Sequence, residues 1–370
     1  MHAAAVLLHT AAMRRGSTRT YVKGVGLCLF ALLILGAMRV AQLHERAIVN
    51  AALSLHPPPG QMVDIGNLKL HLVCSGEGRP TVVLESGFGG WWLDWRKIQP
   101  TLARRTRTCA YDRAGHAYSD PARGRRTAQQ LSNELYALLQ RAEIPGPYLL
   151  VGHSFGAHVV RLFTNRHPGQ VFGLVLVDPA LERARSRFTP AMARATDARR
   201  DVFRQELRLL PLRASLGLER MRGAALVNLT ELPPSARGYA DTVAYRPAWF
   251  QANMDELAAA AESEAQVEAT RRRRWAIPLV VLSRTIAPNP QEYFGVPAEA
   301  VAGFETARLP LIKELASLSD PGRFVLVEGS SHAIQMDRPE AVIEAVNGIL
   351  DRAAKTRQAT NAAESVWTTP

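Results

Sequence analysis

Five residues constrain this chain more than any others: Gly152-His153-Ser154-Phe155-Gly156. Before them stands Tyr148-Leu149-Leu150-Val151, a short apolar run that reads as a buried strand. After them, residues 157–163 place apolar side chains at helical spacing. A serine between a strand and a helix, with glycine two residues away on each side, is the layout of a nucleophile elbow. The serine backbone is strained there and neighbouring chains pass close, so both flanking positions must be small. The serine hydroxyl is then exposed at a sheet edge, with the positive end of a helix behind it. A glycine-bounded turn without chemistry is the alternative, and a partner base elsewhere in the chain decides between them.

The rest of the pattern alternates. Strand-like runs at 61–65, 68–74, 81–85, 106–111, 148–151 and 172–177 are punctuated by Gly and Pro. Residues 127–143 have helical periodicity, with Leu131, Leu135, Leu138 and Leu139 on one face. From about 181 to 275 the alternation stops and the chain reads as several helices covering the ligand end of the sheet. Strands resume at 278–283 and 324–327, with helices near 309–319 and 339–354. The fold class is therefore α/β: a mostly parallel central sheet of about eight strands, helices on both faces and a helical cap insertion. The organisation expected is a core of 61–180 plus 276–354, a cap of 181–275, and a polar, disordered tail of 355–370.

A serine elbow needs a base, and His332 supplies one in Glu328-Gly329-Ser330-Ser331-His332, just after the last strand. Loops at strand C-termini converge in such sheets, so Ser154 and His332 should meet. The acid that would orient the histidine is Asp178, ending Leu174-Val175-Leu176-Val177-Asp178; capping of the next turn is its other reading. Oxyanion donors would be the backbone amides of Phe155 and, from Glu85-Ser86-Gly87-Phe88-Gly89-Gly90, of Phe88. Trp91, Trp92 and Trp95 either line an acyl pocket or pack beneath that loop. His153 and His158 read as packing or hydrogen-bonding residues.

From about residue 63 to 352 the chain resembles the α/β-hydrolase fold family. The resemblance rests on Ser86-Gly87-Phe88-Gly89-Gly90, on Asp112-Arg113-Ala114-Gly115-His116-Ala117-Tyr118-Ser119-Asp120, on the Ser154 elbow and on Ser331-His332. It implies that Asp112 is structural, holding the turn beside the elbow. Two departures stand out. Many relatives have His-Gly where this chain has Ser86-Gly87. Relatives often carry the acid after the seventh strand, where this chain has Ser283-Arg284-Thr285-Ile286-Ala287-Pro288-Asn289-Pro290 with no carboxylate, and Glu292 comes late. That absence favours Asp178 and leaves a dyad open. A serine nucleophile, rather than aspartate, argues against epoxide hydrolase and haloalkane dehalogenase chemistry.

The implied function is hydrolysis of a carboxylic ester, a small-molecule acyl substrate of lipophilic character, through an acyl-enzyme and without cofactor or metal. Peptidase, thioesterase and lactonase activity, or a tethered binding protein without catalysis, are the alternatives.

Residues 22–43 are the most apolar stretch, flanked by Arg14, Arg15, Arg19 and Lys23 on one side and containing Arg39. The reading is a basic segment at 1–21, a transmembrane anchor at 22–43 and a linker at 44–60, with the N-terminus cytoplasmic and the catalytic part outside. A cleaved signal peptide, giving a secreted protein, is the competitor. The net charge of +12 is spread over several clusters without a nucleic-acid motif, so no nucleic-acid partner is expected. Outside the cytoplasm, Cys74 and Cys109 would form a disulfide or remain two buried thiols.

Overall fold

The structure is a computed structural model that describes residues 2–367 apart from 123, 228, 272 and 288–297. A helix, α1 (His2–Leu55), precedes β1 (Gln61–Asp64), β2 (Lys69–Ser75) and β3 (Thr81–Glu85). A short α2 (Gln99–Leu102) leads to β4 (Thr108–Tyr111), α3 (Ala128–Arg141), β5 (Tyr148–His153), α4 (Gly156–Arg166) and β6 (Val171–Val177). Then come six helices in succession: α5 (Pro190–Leu207), α6 (Leu210–Ser215), α7 (Leu218–Met221), α8 (Pro234–Val243), α9 (Pro247–Ala258) and α10 (Ala260–Thr270). The chain ends with β7 (Leu279–Arg284), α11 (Ala298–Ala316), β8 (Gly322–Val327), α12 (Ile334–Asp337) and α13 (Pro339–Trp367).

The eight strands form one sheet in the order β1-β2-β4-β3-β5-β6-β7-β8. The pairs β1–β2 and β2–β4 are antiparallel, and the remaining pairs are parallel. Strand β5 is buried along its whole length. Its Leu150 faces a core with Leu131, Leu135 and Leu138 of α3 and Val160 and Phe163 of α4. Leu149 and Val151 face the opposite core, with Val342, Val346 and Ile349 of α13. Period-two alternation thus buries both faces, as a parallel sheet requires. Thr127 caps α3 by accepting a hydrogen bond from the Gln130 amide at 3.3 Å.

Three expectations need correction. Residues 44–55 are not linker: α1 continues without a break to Leu55, and only the Pro57-Pro58-Pro59-Gly60 run separates it from β1. The segment lacks Gly and Pro, and it turns one face inward, with Glu45 buried and Val49, Ala52 and Leu53 half-buried. Residues 355–367 continue α13 and are not an irregular tail, since they are alanine-containing and free of helix breakers. Helix α11 begins about three turns before the leucine-rich part expected to form it, because residues 298–308 are rich in Ala and Glu but lack a clear apolar stripe.

Cys74 and Cys109 oppose each other in the β2–β4 register and are joined by a disulfide.

Candidate active site

The C-terminal ends of the parallel strands lie side by side. Glu85 pairs with Gly152, His153 with Val177, and Arg284 with Val327. The residues that follow these ends form the site.

Ser154 follows β5 with φ of +51°, in the left-handed region that a non-glycine residue rarely occupies. Its amide donates to Val177 O at 3.0 Å, and its carbonyl accepts from the Ala180 amide at 3.0 Å. The strained turn is thus stitched to the neighbouring strand. A Cβ on Gly156 would lie 2.5 Å from Ser86 O and 2.6 Å from Glu85 O, so only glycine lets helix α4 start this close to β3. A Cβ on Gly87 would lie 2.8 Å from His153 Nδ1 and 3.1 Å from Ser154 Cβ. The glycine-rich loop therefore lies directly against the serine. Neither Phe155 nor Phe88 donates its amide to a backbone acceptor among the described residues. Phe155 is the N-cap of α4, where unpaired amides are expected. The Phe88 side chain is exposed and lines a cleft of roughly 250 Å³ with Gly89, Trp91, Leu226 and Leu232.

His332 stands in the loop after β8. Its Nε2 is 2.9 Å from Ser154 Oγ, and its Nδ1 is 2.6 Å from Asp178 Oδ2. The three side chains proposed from sequence are therefore in one continuous hydrogen-bonded line. Nδ1–H donates to the carboxylate, which leaves Nε2 to accept from the serine hydroxyl. Asp178 ends β6, also at positive φ (+38°), and its amide donates to Leu282 O at 2.9 Å. Burial pushes its carboxyl up, but the hydrogen bond and charge of His332, with Arg284 and Arg308, override that and hold it well below the usual range.

Those two arginines were missed in the sequence. Arg284 Nη1 binds Asp178 Oδ2, the oxygen that also receives His332, and the Arg284 amide donates to Oδ1 at 3.2 Å. Arg308 Nη1 reaches Oδ1 at 2.8 Å from α11. Glu305, one turn away, binds both guanidinium groups. Arg284 had one available signal: it ends β7 in the same register as the other site residues. Arg308 had none. Of the β7 loop, residues 288–290 and Glu292 lie outside the described residues; 285–287 bring no carboxylate.

His153 has a defined job in this geometry. Its Nε2 donates to His332 O at 2.9 Å, and its Nδ1 accepts from Gln335 Nε2 at 3.2 Å. Burial first, and the neighbouring His332 second, push its pKa down to about 3, so it is neutral. It holds the backbone of the His332 loop. His158 is buried and neutral as well, with burial pushing it down to about 4.

The turn after β4 braces the glycine-rich loop. Arg113 Nη1 donates to Glu85 Oε1 at 2.8 Å and to Ser86 O at 2.7 Å; Nη2 donates to Gly87 O at 2.6 Å. Its other contacts go to both oxygens of Glu256, on α9. Asp112 accepts from the Trp92 amide at 2.9 Å and from His71 Nδ1 at 2.6 Å, which holds the turn. Trp91 and Trp95 are buried, Trp95 donating to Ser86 Oγ at 3.0 Å, so packing is their main role; Trp92 is half-buried.

A family model described as the alpha/beta hydrolase fold matches residues 80–273, more than half of the chain. The chain belongs to the alpha/beta hydrolase fold family. An uncharacterized Bacillus subtilis protein, YqjL, is 37% identical over 106 residues, covering 29% of this hydrolase and 42% of YqjL. The 2-hydroxymuconate semialdehyde hydrolase of Pseudomonas sp. (strain CF600) is 31% identical over 127 residues, 34% of this chain and 44% of that enzyme. The chain thus spans less than half the length of these relatives in the matched part. Among solved structures, a candidate epoxide hydrolase from Pseudomonas aeruginosa superposes with a TM-score of 0.58 at 20% identity, covering 80% of this chain and 96% of that one. That likeness concerns the fold. No group of His, Cys, Asp and Glu among the described residues is arranged to hold a metal ion.

Proposed function

We propose that this alpha/beta hydrolase is a membrane-tethered serine hydrolase that cleaves carboxylic esters of small lipophilic molecules. The observation that carries the reading is the unbroken line from Ser154 Oγ through His332 to Asp178, 2.9 Å and 2.6 Å long at its two joints. Ser154 Oγ bonds to the ester carbonyl carbon while its proton passes to His332 Nε2. The carbonyl oxygen takes the electron pair, and the Phe155 and Phe88 amides receive that oxyanion. Collapse breaks the carbon–alkoxide bond, and His332 returns the proton to the departing alcohol. Water then attacks the acyl-enzyme, again losing its proton to Nε2, and the acid leaves as Ser154 regains its hydrogen. Asp178 stays ionised throughout and holds the imidazole in the tautomer that accepts at Nε2.

An ester is favoured over a peptide because alkoxide departure asks less of the acid catalyst, and no described loop lays an edge strand beside the serine for an extended chain. The cleft beside Phe88 is mixed, with Leu226, Val227, Leu232 and Met336 offering a hydrophobic side and Asp94, Arg96 and Glu231 a charged one, so a substrate with both an apolar and a polar part would suit it. The tether is α1, the one described helix long and apolar enough to cross a bilayer, from Lys23 onward. Arg14, Arg15, Arg19 and Lys23 precede its apolar part and favour a cytoplasmic N-terminus. The Cys74–Cys109 disulfide agrees with a catalytic domain on the oxidising side.

Fluorophosphonate labelling of the full chain in detergent tests the chemistry. The expected result is one adduct on Ser154, absent in Ser154→Ala, followed by turnover of short and medium-chain esters. A folded wild type that neither labels nor turns over esters would sink the reading.

A further inference from the structure

The part of α1 that leaves the apolar run is not free. Its inward face starts at Met38 and recurs at Ala41, Gln42, Glu45, Ile48, Val49, Ala52 and Leu53, the spacing of one helical stripe. The cap covers it. Gln42 Nε2 donates to Ser215 Oγ at 3.4 Å, and Arg220 binds Glu45 through Nη2 at 2.8 Å and Nε at 3.0 Å. Gly217 lies against the same carboxylate, 3.1 Å from where its Cβ would stand. Farther along, His56 stacks edge-on against Tyr239 of α8.

This stripe overlaps the span. A bilayer core of about 30 Å takes about 20 helical residues, and counting from Gly24 that length ends near Leu43. The cap contact at Gln42 therefore falls at the hydrocarbon boundary, and Met38 lies roughly one helical turn or more inside it. Whatever touches α1 there must itself stand at the membrane surface.

The cap surface beside these contacts has the composition for that place. Leu209, Leu212, Leu218 and Met221 are exposed, Met221 at 83%, and they flank Ser215, Gly217 and Arg220. Large apolar side chains on and beside these short helices thus leave much of their surface uncovered by the described residues, which calls for a further apolar contact. Around them the sequence from 181 to 223 holds eleven arginines against five acidic residues, with Arg208 and Arg222 exposed.

We infer that α6 and α7 form a membrane-docking surface, with Leu209, Leu212, Leu218 and Met221 at the acyl boundary of the bilayer and the exposed Arg208 and Arg222 on anionic lipid phosphates. The inference rests on the anchor reading of α1 and adds a second attachment to it. Apolar side chains beside basic ones are the features that hold an amphipathic element in a bilayer interface. The cleft at Phe88 is lined on its cap side by Leu226, Val227 and Leu232, from the segment between α7 and α8.

The test uses the full chain in vesicles, with Cys28→Ser removing the free thiol. An environment-sensitive fluorophore is placed singly at Leu32→Cys, Leu212→Cys, Met221→Cys and Arg104→Cys, the last being exposed at the opposite end of the strands. Brominated acyl chains then quench what they reach. Expected is strong quenching at Leu32→Cys, roughly half as much at Leu212→Cys and Met221→Cys, and none at Arg104→Cys. Quenching at both cap positions should weaken when phosphatidylglycerol is left out. Cap labels as unquenched as Arg104→Cys, with Leu32→Cys quenched, would overturn the docking surface and leave the anchor standing. No quenching at Leu32→Cys would overturn both. Cap labels that are shielded from water but unquenched, and exposed on dilution with lipid, would assign the patch to a second copy of the chain instead.

Discussion

Two buried arginine–carboxylate clusters border the serine, and they differ in charge balance. On the side of the glycine-rich loop, one cation, Arg113, serves two carboxylates, Glu85 and Glu256. On the acid side, two cations, Arg284 and Arg308, face Asp178 and Glu305. The first cluster has one negative charge too many for a buried site. Its excess falls on Glu85, whose carboxyl burial pushes up, whereas Arg113 overrides burial at Glu256 and pulls that carboxyl down. This difference follows the contacts: Glu256 is held at both oxygens by Arg113, while Glu85 shares the Tyr111 hydroxyl. The second cluster has as many cations as carboxylates. It holds the Asp178 carboxyl well below the usual carboxylate range, as an orienting carboxylate would need. The first cluster acts on backbone, through the Ser86 and Gly87 carbonyls; the second acts on the histidine.

If the acid-side cluster serves chemistry, Asp178→Asn should give the largest effect, a fall in kcat of about 10⁴ with the fold retained. Steady-state ester hydrolysis beside circular dichroism measures it, and near-normal turnover would move the orienting role elsewhere. Next, Arg113→Met leaves two buried carboxylates without a cation and should cost about 3–5 kcal/mol of stability, read by urea unfolding. A loss within 1 kcal/mol would mean that water reaches the cluster.

Arg308→Gln should cost less, about 1–3 kcal/mol, with kcat changed by less than about tenfold, because the Arg284 side chain and amide still hold Asp178. A thousandfold loss of kcat would show that both arginines position the carboxylate.

The smallest effect separates the clusters by pH. Glu85 has a folded pKa above its unfolded value, so the folded state binds the extra proton. Stability on its account is present at low pH and declines as pH rises from the ordinary carboxylate range through the raised value. Glu85→Gln keeps a hydrogen-bonding amide without the charge. It should lose less than about 1 kcal/mol and flatten that decline, in unfolding curves collected across the pH range. A decline unchanged in Glu85→Gln would assign it to another group.

Much of this was readable in the residues. The central strands announced themselves as short apolar runs, since burial on both faces leaves each of them little choice of composition, whereas the edge strands β1 and β8 are partly exposed and were marked as much by the Gly and Pro around them. Ser154 was fixed by its glycines. His332 and Asp178 followed from their places at strand ends, where the topology brings loops together. What stayed hidden was pairing across the fold. Nothing local to Arg308 says that it will meet Asp178, and nothing local to Glu256 says that it will hold Arg113. Charged residues on a helix read as solvated until a partner from another element buries them. The docking of α1 was hidden for the same reason: Glu45 looks like a linker residue until Arg220 reaches it.

The pairing of β6 with β7 spans the six cap helices, so Val177 meets Leu282 only after a loop of roughly a hundred residues has closed. Closing such a loop in an unstructured chain costs about 4 kcal/mol, which favours a cap that collapses early and brings its two ends together. Asp178 lies on one side of that loop and His332 beyond the other. A ribosome-bound chain that has made β6 but not β8 thus holds Ser154 and Asp178 without His332, and the proposed triad is joined late in synthesis, in one step with completion of the sheet.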